Sequence, residues 1–127
     1  MNSSLGISKV NSLEELDPAI EAARNTGTDS IIVEALLEGR EFSMGIVPGA
    51  NNEAIAMPIT EIITENEFFD YEAKYEGASE EITPADISDA QRTIMQESGV
   101  KAYKLLGCRG IVRIDFILVD TEKPAIL

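Results

Sequence analysis

The sequence predicts an α+β fold, with mostly antiparallel sheets and helices packed on one side. Three observations carry that expectation. Two stretches, one from Leu13 to Ala23 and one from Ile87 to Leu105, repeat apolar residues at helical spacing. Phe42, Met44 and Ile46 alternate with Glu41, Ser43 and Gly45, the period of a half-buried strand. The whole chain then reads in the order β-α-β-β-β-α-β-β. Its 127 residues are a usual length for one domain, and 44% hydrophobic with 26% charged residues can build a core.

Residues 5–10 read as a small-residue turn running into a short strand. Ser12 and Glu15 have the spacing of a capping box, followed by Leu13, Leu16, Ile20 and Ala23 at helical positions. Pro18 disfavours helix at Asp17, so the helix starts either at Ser12 or at Asp17-Pro18. Asn25-Thr26-Gly27 ends it. Ser30-Ile31-Ile32-Val33 is an apolar, β-branched strand closing on Glu34, and Glu38-Gly39 a turn. The alternating strand follows, then a loop over 48–52 and a partner strand over 54–63, interrupted by Pro58.

Residues 64–82 show no sustained period, which is long for a compact domain; such loops tend to be functional or disordered. Thr83-Pro84-Ala85-Asp86 opens the second helix, with Thr83 as cap and Pro84 at the first helical position. Its apolar stripe is Ile87, Ala90, Ile94, Ala102 and Leu105, and Gly107 stops it. Gly99 inside it costs ~1 kcal/mol against alanine, with no local reason in the sequence. Residues 110–119 form a strand, and Pro124 to Leu127 begin another.

Charge and composition exclude several functions. Ten basic against 23 acidic side chains leave a net charge of −13. Nucleic-acid binding draws its affinity from basic patches, and anionic membranes attract the same patches, so neither partner is expected. The absence of histidine removes imidazole bases and His-bearing zinc sites. Cys108 stands alone, so no internal disulfide forms. No apolar run reaches the ~20 residues of a membrane span, and no basic-then-apolar leader opens the chain. A cytoplasmic protein is the expectation.

Three places could carry chemistry. Lys74 is the only base between Arg40 and Arg92, set among eight acids from Glu61 to Glu81. Phe68, Phe69, Tyr71 and Tyr75 surround it, four of the seven aromatics in the chain. This is either a solvated charge run or a lid that places one cation on a phosphate. Arg113 and Asp115 share one face of a strand whose other face carries Val112, Ile114, Phe116 and Leu118. They form either a simple ion pair or a polar cleft in which Asp115 holds Mg²⁺ and Arg113 meets developing oxyanion charge. Ser3 and Ser4 either offer hydroxyls and backbone N–H groups to an anion or belong to a frayed chain end. Glu34 and Glu41 bracket a turn and either bind a purine-ribose unit or are the solvated ends of two strands.

Taken in order, five blocks resemble one family: Ser3 to Val10; Val33-Glu34 with Glu38-Gly39-Arg40-Glu41-Phe42; Phe69-Asp70-Tyr71-Glu72-Ala73-Lys74-Tyr75; Ala102 to Gly110; and Arg113-Ile114-Asp115-Phe116. They resemble D-alanine–D-alanine ligase of the ATP-grasp superfamily, almost end to end. The Asp70 to Tyr75 and Leu106 to Gly110 blocks are the specific ones. The resemblance implies a piece of a longer ligase, with residues 1–37 ending the small ATP-grasp lobe. Residues 38–127 would form most of the large lobe, with a lid at 64–82.

The resemblance also implies roles. Ser3 and Tyr75 would form a relay that orients substrate, and Arg113 would stabilise the tetrahedral intermediate. Ser4, Phe68 and Lys74 would meet the nucleotide, Ser4 and Lys74 at its phosphates. Glu34 with the backbone of Ala35, Leu36 and Leu37 would form the adenine hinge. Glu41 would take the ribose hydroxyls, and Leu127 would pack near the base. Asp115 would bind the metal. The implied cofactors are ATP and Mg²⁺ (or Mn²⁺), the substrate D-alanine, and the full-length assembly a cytoplasmic homodimer. Asn2 stands where the family usually has glycine, and Leu36 where an aromatic is common. Two other readings share the same residues: an ATP-grasp ligase with another acceptor, and a non-catalytic acidic binding module.

Overall fold

The computed structural model describes residues 5–64, 79–119 and 124–127. The chain divides into two compact units, residues 1–36 and 37–127. Among the described residues no helix is long and apolar enough to cross a membrane.

The first unit is built around one helix, α1 (Leu13–Arg24), with Ser12 at the N-cap position. The helix starts at the earlier of the two expected sites and carries Pro18 inside it. Proline there forfeits the bond its N–H would have made to the Glu14 carbonyl and crowds that carbonyl with its ring, on an exposed turn. The capping box does not form. Glu15 Oε2 instead accepts from the backbone N–H of Asn11 at 2.8 Å, and the Ser12 side chain makes no cap bond. The strands expected within 5–10 and at 30–33 are absent: past the turn at 5–6 both segments are irregular, and Ile7, Ile32 and Val33 are exposed. Apolar β-branched residues favour extended backbone, but a strand exists only where a neighbouring ladder accepts its hydrogen bonds. No strand lies within this unit among the described residues.

In the second unit five strands form one antiparallel sheet. They are β1 (Arg40–Pro48), β2 (Ala54–Thr64), β3 (Ser79–Ile82), β4 (Val112–Leu118) and β5 (Pro124–Ile126), in the order β3-β2-β1-β4-β5. This bears out the antiparallel α+β expectation. One helix, α2 (Asp89–Leu105), packs on the sheet. Strand alternation sends Phe42, Met44 and Ile46 of β1 and Phe116 and Leu118 of β4 to one face. There they meet Ile59, Met95 and Tyr103 in a buried core. Tyr103 satisfies its hydroxyl by donating to the Gly110 carbonyl at 2.9 Å.

Pro58 does not interrupt β2. Met44 pairs with Ile59 and Ile46 with Ala56, so Met57 and Pro58 together oppose the single residue Gly45. This is a bulge, where a proline's missing N–H leaves no ladder bond broken.

The second helix begins later than Thr83. The Thr83 hydroxyl is engaged with that of Thr60 at 2.5 Å, and the Ala85 N–H donates to the Ile59 carbonyl, which ties the segment to β2. Ser88 caps instead, in a complete capping box with Gln91. The buried stripe is Met95, Gly99 and Tyr103, one residue out of phase with the expected Ile94. Leu105 is exposed. Gly99 now has its reason: a Cβ there would strike the Met44 terminal methyl and lie 3.2 Å from Ile46 Cδ1. The glycine lets the helix seat against β1.

An ion pair locks the start of β1. Arg40 Nε and Nη2 donate to the two carboxylate oxygens of Glu61 at 2.7 and 2.8 Å, and Nη2 also donates to the Asp86 carbonyl at 2.8 Å. The guanidinium lies 5.3 Å from the Phe42 ring centroid. Glu61 is buried on the core face, and the hydrogen bonds from Arg40 hold its carboxyl below the ordinary value against the opposing cost of burial. A carboxyl with a depressed folded pKa contributes stability above the unfolded value of about 4.3. That contribution is lost as pH falls through the lower folded value. Glu61→Gln is therefore expected to flatten the acid limb of stability, read as urea midpoints from neutral pH downward. An unchanged acid limb would count against the pair.

Candidate functional site

The face of the sheet turned away from α2 sets charged and polar side chains among apolar ones, Ile62 and Ile117 included. By strand parity it carries Glu41, Ser43 and Gly45 from β1 and Arg113, Asp115 and Ile117 from β4. Glu41 stands opposite Ile117, Ser43 opposite Asp115 and Gly45 opposite Arg113. On the other side Ser43 faces Thr60 of β2. The backbone N–H of Leu127 donates to the Asp115 carbonyl at 2.9 Å, extending the β4–β5 ladder by one step. That step aligns Leu127 with Asp115 on the same face.

Arg113 and Asp115 form the expected pair: Arg113 Nη2 donates to Asp115 Oδ2 at 3.1 Å. The arginine side chain is 73% exposed and the aspartate 37%. An exposed pair of this kind is worth at most about 1 kcal/mol. The other carboxylate oxygen is different. Asp115 Oδ1 is buried and has no hydrogen-bond partner among the described residues. A buried anionic oxygen without a donor is costly unless a cation or ligand meets it. Oxygen of this kind is the ligand a hard divalent ion prefers. Among the described residues no group of three or more acidic, cysteine or histidine side chains gathers into a metal cage. Asp115 would therefore supply one ligand only.

Glu41, Arg113, Asp115 and Leu127 thus share one face of one sheet. Leu37 opens the same unit, whereas Glu34, Ala35 and Leu36 belong to the other. Those three are exposed, and the backbone N–H groups of residues 34–37 make no hydrogen bond among the described residues. Ser3, Ser4, Phe68, Lys74 and Tyr75 lie outside the described residues.

The family model for the C-terminus of D-ala D-ala ligase matches residues 1–127. The chain belongs to this ligase family. The D-alanine–D-alanine ligase of Flavobacterium johnsoniae is 49% identical over 120 residues, which cover 94% of this chain and 36% of that protein. The ligase segment also resembles two solved structures. The VanG D-Ala:D-Ser ligase from Enterococcus faecalis is 34% identical, with a TM-score of 0.76 over 98% of this chain and 36% of that one. D-alanyl-alanine synthetase A from Vibrio cholerae is 25% identical, with a TM-score of 0.80 over 99% and 38%. The segment spans little more than a third of these relatives' length.

Sequence reasoning missed three residues on this face of the ligase segment's sheet. Ser43 and Ile117 have the same parity as Glu41 and Asp115, a signal present in the alternation once the strands are paired. Thr60 has no such signal, because the bulge at Met57-Pro58 hides its phase.

Proposed function

We propose that this segment carries part of the active site of a D-alanine–D-alanine ligase. The full-length enzyme would join two D-alanines for peptidoglycan precursor synthesis, as a cytoplasmic homodimer. Residues 1–37 are read as the end of the small ATP-grasp lobe. Residues 38–127 are read as most of the large lobe; of the lid expected at 64–82, Thr64 belongs to β2 and Ser79–Ile82 to β3, so the lid is read between those two strands. The observation that carries the reading is Asp115 Oδ1, buried and unpartnered on the face that also presents Glu41.

The nucleotide would lie across β1 and β4. Glu41 accepts from the ribose hydroxyls, and the Leu37 backbone, Leu127 and Phe68 meet the adenine. Ser4 and Lys74 hold phosphate oxygens. Asp115 fits a divalent cation, Mg²⁺ (or Mn²⁺), as one carboxylate ligand among phosphate oxygens. Such an ion, when bound, neutralises charge on the transferred phosphoryl group. A D-alanine carboxylate oxygen attacks the γ-phosphorus and ADP leaves. The amine of a second D-alanine attacks the acyl carbon of the D-alanyl phosphate, and inorganic phosphate leaves. Arg113 stabilises the oxyanion of that tetrahedral intermediate, while Ser3 and Tyr75 orient the substrate. Positioning and charge neutralisation carry both steps, so no histidine is needed.

A full-length ligase carrying this segment is expected to release D-alanyl-D-alanine and one phosphate per dipeptide from ATP and D-alanine. The 127-residue chain alone is expected to release none. Dipeptide from the lone chain would overturn its reading as a part, and none from the full-length protein would overturn the reaction. The likeness to a D-Ala:D-Ser ligase favours one alternative acceptor. Product analysis with D-serine and D-lactate beside D-alanine separates these acceptors.

A further inference from the structure

Thr60, Ser43 and Asp115 form a row across three neighbouring strands on the face turned away from α2. The Thr60 hydroxyl is already bonded to Thr83, and Asp115 Oδ2 to Arg113. Two polar groups in the row remain: the Asp115 Oδ1 oxygen and the Ser43 hydroxyl. Neither makes a hydrogen bond among the described residues, and they do not bond each other. Residues directly opposite in an antiparallel pair hold their Cβ atoms roughly 4.5–5.5 Å apart. A donor and an anionic acceptor at that spacing, neither of them bonded, can both turn to one group lying over the face.

Glu41 lies two residues before Ser43 on β1, one strand repeat or about 6.6 Å away on the same face. A ligand that places a diol at Glu41 and a metal-bound anion at Asp115 crosses the diagonal whose other corners are Ser43 and Ile117, and of those two only Ser43 offers a hydroxyl. We infer that Ser43 is a phosphate-binding residue, its hydroxyl donating to a phosphate oxygen of the nucleotide beside the cation on Asp115. The inference rests on the ligase reading above and adds a contact to it. Glu41 holds one end of the nucleotide and Asp115 the other, and Ser43 sets where the phosphate chain lies between them.

The test measures binding calorimetrically in the full-length ligase carrying this segment. The probes are the Mg²⁺ complex of a non-hydrolysable ATP analogue and, separately, adenosine. Ser43→Ala is expected to weaken the triphosphate analogue about tenfold, the scale of one hydrogen bond to a charged group, and to leave adenosine binding unchanged. Ser43→Thr keeps a hydroxyl and is expected to stay within about twofold of the native affinity. Unchanged triphosphate affinity in Ser43→Ala overturns the assignment. So does an equal loss for both probes, which marks a structural role. If the native protein binds neither probe, the ligase reading itself fails, and that result appears before any variant is made.

Discussion

Asp115→Asn in a full-length ligase carrying this segment is expected to lower turnover at least ~100-fold. Asparagine keeps the shape of the side chain, and its side-chain oxygen can still accept from Arg113, so folding should be preserved. What it loses is the negative charge at the buried, unpartnered Oδ1. A neutral amide oxygen is a poorer ligand for a hard divalent ion, so the Mg²⁺ concentration for half-maximal activity should rise together with the fall in kcat. Steady-state ATP cleavage against Mg²⁺ concentration reads both quantities. Near-native kinetics in the variant would sink the placement of the metal on Asp115. A fall in kcat with an unchanged Mg²⁺ profile would assign the residue a role other than metal binding.

Phe116→Ala is expected to have the largest effect on stability, about 3–5 kcal/mol. Phe116 is fully buried, pairs with Phe42 on β1 and Ile126 on β5, and belongs to the core that the sheet forms with Met95 and Tyr103 of α2. Removing the ring leaves a cavity that three strands and a helix cannot all collapse into. Its neighbour Asp115 points to the opposite face, so the damage should reach the site through the backbone. Amide hydrogen exchange in the full-length protein checks this: protection in β1 and β4 should fall about 100-fold or more. Protection within a few-fold of native would show that the strand is held by contacts other than this core.

Much of the fold was legible because strand parity is a strong local signal. Phe42, Met44 and Ile46 marked the buried face of β1, and the same logic put Arg113 and Asp115 together on β4. What escaped depended on partners distant in sequence. Ile32 and Val33 have strand-forming side chains but no ladder beside them. Thr83 has the chemistry of a helix cap but spends its hydroxyl on Thr60, 23 residues earlier. The Arg40–Glu61 pair joins residues 21 apart and has no local signature. Gly99 looked like a fault until the Met44 side chain that fills its place was known. In the site, Glu41 and Asp115 stood out as candidates in the sequence and the resemblance gave them roles, whereas Ser43 needed the register, because only pairing shows which residues become neighbours.

The bulge in β2 bears on how this strand can change length. Below it Ile59 and Glu61 face the helix, and above it Ala54 and Ala56 do, so the strand reverses its phase once and stays right side in at both ends. A codon lost or gained elsewhere in β2 would turn everything beyond it inside out, exchanging core for surface. At Met57-Pro58 the phase is already broken, and losing one residue would restore plain pairing opposite Gly45 instead of scrambling it. The genetic text of this strand thus has one place where its length is negotiable, and it lies apart from the row that carries Thr60, Ser43 and Asp115.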